Sequence, residues 1–75
     1  MTHRVQHVVN IIRDLELTPL MAGSLLADHH QEKPVDPEVV DQELNELATH
    51  YSLTIEVVRH DYESMMAVYQ QIKAD

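Results

Sequence analysis

From Ile55 to Ile72 the residues Ile55, Val58, Tyr62, Met65, Tyr69 and Ile72 recur at intervals of 3, 4, 3, 4 and 3. An α-helix returns such a series to one face, because its repeat of about 3.6 residues lies between three and four. A competing alternation of Leu53, Ile55 and Val57 would suit a strand, but it stops at Arg59 while the helical spacing runs on. The pattern therefore predicts a helix over residues 54–73, with Thr54 as its N-cap. Burying each of these side chains stabilises by about 1.5–3 kcal/mol before entropy is counted. A helix about 30 Å long with one such seam requires the rest of the chain to pack along it.

The remaining sequence supplies three more helical segments. In the first, Thr2 to Glu16, Val5, Val8, Val9, Ile12 and Leu15 share one face, and His3, His7, Asn10 and Asp14 share the opposite one. The second opens at Thr18-Pro19, an N-cap followed by a proline where a missing N–H costs nothing, and ends near His30. Met21, Ala22, Leu25 and Leu26 form its apolar arc, while Gly23, Ser24 and Ala27 are small enough for another backbone to come close. Asp36-Pro37 starts the third, with Val40, Leu44, Leu47 and Tyr51 on one side. No linker is long enough to divide these segments, so residues 1–75 are expected to form one all-α domain, a compact bundle of about four helices with the last the longest. A chain of this length buries only about 60% of its unfolded surface, so close helix packing is required.

Composition narrows the chemistry. A single glycine, Gly23, leaves no glycine-rich phosphate cradle. Ser24, Ser52 and Ser64 lie outside any nucleophile-elbow context, and there is no cysteine. No enzymatic activity and no cofactor are expected. Two histidine groups stand out: His3 and His7 on one helix face with Asp14 further along, and His29–His30 on a loop beside Asp28. Local geometry fixes only two ligands where a structural metal site wants four, so no metal is expected. His50 and His60 flank the third turn, where they could cap helix ends. No run of eighteen apolar residues or continuous secretory core is present, and a cytoplasmic location is expected. Thirteen acids against five Lys or Arg give a net charge of -8, which phosphate backbones and anionic membranes repel. Six histidines make that charge strongly pH-dependent.

Residues 44–65 nevertheless resemble the helix-turn-helix of DNA-binding regulators. Ala48 takes the small position of the first helix, Ser52 and Leu53 the turn, and Val58 the buried side of the second helix. The resemblance implies a reading helix presenting Ile55, Glu56, Arg59, His60 and Glu63. It departs from the motif at Asp61, where an apolar residue is usual, and it brings only one fixed positive charge to a face that should meet phosphates and guanines. Nucleic acid is therefore not the expected partner.

The function expected instead is that of a protein-interaction module: an adaptor, assembly factor or inhibitor of a larger protein, with a homo-oligomer as one form. Between Pro34 and Val58 there are six acids and no Lys or Arg. Glu38, Asp41, Gln42, Asn45 and Glu46 cover the outer side of the third helix as a one-sign surface suited to a basic patch. In the fourth helix Val57, Met66 and Val68 widen the apolar face beyond the seam, with Asp61 between Val57 and Val68. An acid in that position needs a partner, from this chain or another. The candidate docking residues are thus Glu38, Asp41, Gln42, Asn45, Glu46, Val57, Asp61 and Val68.

Overall fold

The structure is a computed structural model that describes residues 1–74. It contains four α-helices: α1 His3–Asp14, α2 Ala22–His30, α3 Pro37–Tyr51 and α4 Ile55–Ala74, with a short 3-10 turn, Pro19–Met21, ahead of α2. No strand occurs among the described residues, and α4 is the longest helix. α4 runs along a molecule measuring 35 × 27 × 22 Å. The core draws on all four helices: Val5, Val8, Val9 and Ile12 of α1, Ala22, Leu26 and Ala27 of α2, Leu44, Leu47 and Ala48 of α3, and Val58 and Tyr62 of α4.

The helix ends follow from local chemistry, with two departures from the expected boundaries. The hydroxyl of Thr2 accepts the N–H of Val5, capping α1 as expected. The Thr18-Pro19 start gives only the 3-10 turn, with Thr18 accepting the Leu20 N–H at 3.3 Å. The α-helix begins three residues later, at Ala22, and its N-cap Met21 has no side chain able to accept. Asp61 of α4 performs that task from outside, receiving the Ser24 N–H at 2.6 Å and the Ser24 hydroxyl at 2.8 Å. α1 stops at Asp14 because Glu16 turns left-handed (φ 53°), and the Leu17 N–H closes onto the Ile12 carbonyl. Ser52 (φ 55°) ends α3 the same way, with the Leu53 N–H on the Ala48 carbonyl.

The α4 seam is buried unevenly. Val58 and Tyr62 are closed off, Ile55, Met65 and Tyr69 are half-buried, and Ile72 is 64% exposed. Leu15, on the expected inner face of the first segment, is also exposed. Both lie at the ends of their periodic series, where the pattern outruns the neighbours that would cover it.

α2 and α4 form the most extensive helix pair. Gly23 makes this possible: a Cβ built there would stand 2.4 Å from the Val58 carbonyl oxygen and 2.7 Å from the Tyr62 nitrogen. Both atoms are α4 backbone, so neither can rotate away. Gly23→Ala would raise helix propensity by about 1 kcal/mol, yet the forced separation of the helices outweighs it. We expect a net loss of about 1–3 kcal/mol, read as a fall of roughly 4–8 °C in melting temperature per kcal/mol. An unchanged or raised melting temperature would mean that the two helices do not cross at this distance.

Candidate functional site

The chemistry of this fold is concentrated in two places, one inside and one outside. The inner one centres on Glu43 of α3, which has no solvent exposure. Its carboxylate accepts the Thr2 hydroxyl at 2.5 Å, the Arg4 Nε–H at 3.1 and 3.2 Å, and the His30 Nε2–H at 3.0 Å. His30 is itself 3% exposed, and its Nδ1 lies 2.8 Å from the Tyr62 hydroxyl. A carboxylate can only accept, so Nε2 carries the ring proton and Nδ1 receives the hydroxyl proton of Tyr62. Thr2 and Arg4 lead from α1, His30 from α2, Glu43 from α3 and Tyr62 from α4. The chain of hydrogen bonds therefore joins all four helices, and no buried side-chain N or O among the described residues lacks a partner.

This centre corrects the expected place of His30, which ends a helix in the core and does not lie on a loop. Burial lowers the His30 pKa from its ordinary value, against the opposing pull of Glu43. Burial also raises that of Tyr62, with the Glu43 charge acting in the same direction. Both groups are thereby held neutral near pH 7.

The outer place is the exposed side of α3. Glu38, Asp41, Gln42 and Asn45 are exposed and Glu46 is half-buried. Gln42, Asn45 and Glu46 line a shallow groove of about 540 Å³ with Met1, Thr49 and His50. The groove exists because Glu46 holds the start of the chain: it accepts the Thr2 backbone N–H at 3.0 Å and the Gln42 amide at 3.2 Å. The acids are not wholly without a basic neighbour, as the local sequence had suggested. Arg59 of α4 reaches Asp41 at 2.8 Å, where both side chains remain partly exposed. Such a surface pair contributes about 0–1 kcal/mol.

The remaining candidates lie on α4. Val57 and Val68 are 42% and 49% exposed. Asp61, half-buried between them, is occupied by Ser24 and not by a Lys or Arg. The histidines sort differently from their sequence spacing: His7 meets His29 edge-on at 4.8 Å between ring centroids, and His50 meets Tyr51 in the same way. Among the described residues no three His, Cys, Asp or Glu gather as a metal-holding group.

The helix-turn-helix resemblance divides into two halves. Its packing half is present, with Leu47 and Ala48 buried, Ser52 left-handed in the turn and Val58 buried. Its reading half has Glu56, His60 and Glu63 exposed, and Arg59 turned back onto Asp41. No helix is long and apolar enough to cross a membrane among the described residues.

The inner centre generates a pH prediction. His30 binds a proton less readily folded than unfolded, so its contribution to stability is complete above about pH 6.5 and declines as the pH falls from there towards the folded pKa. The slope is at most about 1.4 kcal/mol per pH unit. Urea midpoints should drop as the pH falls below about 6.5, and ¹⁵N shifts should show His30 neutral, with Nδ1 bare, at about pH 7. A protonated His30 in the folded protein at that pH would contradict the assignment.

Comparison with protein-family models, with curated proteins and with solved structures finds no match to this chain.

Proposed function

We propose that this protein works by docking on another protein, and that the outer face of α3 is the surface that docks. The observation that carries this reading is the groove lined by Met1, Gln42, Asn45, Glu46, Thr49 and His50. It combines shape with a mostly apolar, acid-flanked lining on a helix whose other side is anchored by Leu44 and Leu47. Glu38 and Asp41 extend the same face beyond the groove. A helix or loop carrying Lys and Arg beside an apolar residue fits it: the cations meet Glu38 and Glu46, and the apolar side chain meets Met1, which is 61% exposed. Adaptor, assembly factor and inhibitor are all roles such a surface can serve.

Binding rather than catalysis is also the economical reading of the interior. The groups with acid–base capacity in the core, Glu43, His30 and Tyr62, are committed to one another and closed to solvent. A general acid or base must reach the proton it moves in a bound substrate. Against DNA stand Glu56 and Glu63 on the presented face and the net charge of -8.

Charge reversal on α3 tests the proposal. Glu38→Lys with Gln42→Lys changes two exposed sites and leaves Glu46 on Thr2, so circular dichroism and melting temperature should stay near wild type. Affinity capture from extracts of the source cell, run in parallel on both proteins and read by mass spectrometry, should enrich a partner on wild type that the variant loses. For that partner the association rate should fall by about tenfold or more and lose most of its salt dependence. Equal capture and equal rates on both proteins would move the docking surface away from α3.

A further inference from the structure

We propose that His7 of α1 and His29 of α2 hold a late transition-metal ion between them (zinc, nickel or copper) at an open site that staples the two helices. Spacing along the chain offered only His3 with His7, both on one helix. The fold supplies a different second ligand. α1 and α2 pack against each other, and the rings of His7 and His29 meet with centroids 4.8 Å apart and planes at 84°. Two imidazoles on one tetrahedral ion, each nitrogen about 2.0–2.1 Å from it, have ring centres about 5 Å apart. The observed separation is therefore close to the one that a shared ion requires. One nitrogen of each ring must then point at a common centre, which takes rotation about side-chain bonds only. His7 is exposed and His29 half-buried, so both rings have room to turn.

The donor set selects the class of ion. Imidazole nitrogen suits zinc, nickel and copper, whereas magnesium and calcium want oxygen. Asp28, the carboxylate next to His29 in sequence, already accepts the Tyr69 hydroxyl at 2.7 Å. No third His, Cys, Asp or Glu joins the pair among the described residues. The other positions on the ion are left to water or to a donor from another molecule, so the site is open and exchangeable. Electrostatics favours a cation here as well. His29 lies in the last turn of α2, where unpaired carbonyls carry partial negative charge. Arg4, one turn before His7, is paired with the Glu43 carboxylate at 3.1 Å, which offsets its repulsion of an incoming ion. The net charge of -8 draws cations towards the whole surface.

The backbone on both sides of the site is fixed. Val8, next to His7, is buried in the core. His30, next to His29, is held by Glu43 and Tyr62 in the polar centre. An ion then has two short side chains to order and no backbone, which lowers the cost of binding. The competing site is the local one, His3 with His7 one turn apart on α1. The two arrangements share His7 and differ in the helix that gives the second ligand, so single substitutions tell them apart. Metal held by His7 and His29 ties α1 to α2 and stabilises the folded state by mass action, since the unfolded chain does not keep the pair together. This binding is independent of docking on α3.

The test is titration of the untagged protein with zinc chloride, nickel chloride and, as control, magnesium chloride at about pH 7.5, where imidazole is free of protons. Imidazole ¹H–¹⁵N spectra and melting temperature are followed together. The ring nitrogens of His7 and His29 should shift first with zinc, and the melting temperature should rise with zinc or nickel but not with magnesium. His7→Gln and His29→Gln should each weaken zinc binding by at least about tenfold, whereas His3→Gln should change it by less than about threefold. Neither ligand belongs to the buried core, so both variants should keep wild-type circular dichroism without metal. The spectra of the wild type test the assignment without relying on any variant. A wild type that binds neither zinc nor nickel, a loss in His3→Gln equal to that in His29→Gln, or first shifts at His50 or His60 would each overturn the proposal.

Discussion

A carboxylate with no access to water is the most demanding group in this fold. Taking an ionised side chain out of solvent costs several kcal/mol even after relaxation, and the cost is offset only if its oxygens are fully engaged. Glu43 meets that condition by drawing on three helices besides its own: through Thr2 and Arg4 of α1, through His30 of α2, and through His30 to Tyr62 of α4. Apolar contacts alone tolerate a helix sliding along its neighbour, since one Val or Leu can replace the next at small loss. Hydrogen bonds of this length do not. The polar centre therefore fixes the register in which the Val- and Leu-rich faces meet, and a displaced helix would strand a charge in the core.

The sequence made much of this architecture legible. The near-heptad of α4 and the Asp-Pro start of α3 are short-range signals that depend on neighbours within a turn, and the helices stand where those signals put them. Gly23 was readable as a site of close approach because nothing else in the chain could admit a backbone so near. The polar centre was not read, although it left a trace. Glu43 lies three residues after Val40 and four before Leu47, squarely on the apolar arc of α3, and His30 lies four residues after Leu26. An acid and a histidine on inward-facing positions of two helices indicate a pair. Which residues complete it depends on a separation of 39 positions to Arg4 and 32 from His30 to Tyr62, and no local pattern encodes that. The same limit applies to Asp61, whose task of capping α2 exists only once the two helices lie together. Among the candidate docking residues, spacing alone identified the common face of Gln42, Asn45 and Glu46, whereas the groove they line needed the chain start to be placed.

The few cations of this chain are mostly engaged. Of the five fixed cations, Arg4 is spent on the buried carboxylate, Arg59 on Asp41, Arg13 on its neighbour Asp14, and Lys73 on the Gln31 carbonyl. The pairs at Arg13 and Arg59 are exposed and weak, but they still place each cation next to an anion and so reduce any basic patch. This bears on the helix-turn-helix resemblance. The turn at Ser52 joins two helices whose small and apolar residues interlock, which is a packing solution open to any helical protein. Recognition of DNA needs positive charge on the outward face of the second helix, and here the one arginine available is held by an aspartate of the first.

The interior and the α3 face share a single residue, which links stability to the shape of the surface. Thr2 gives its hydroxyl proton to Glu43, takes the Val5 N–H as the cap of α1, and gives its backbone N–H to Glu46. Glu43 and Glu46 are one turn apart on α3, one pointing into the core and one towards the groove. The first turn of α1 is thus clamped to the middle of α3 by both acids, and that clamp holds Met1 at the groove's rim. A surface formed in this way is ordered before any partner arrives, so less conformational freedom is lost when one binds. The buried carboxylate would then serve the proposed docking without touching a partner: it keeps the wall of the groove in place, while the acid one turn further on lines the groove.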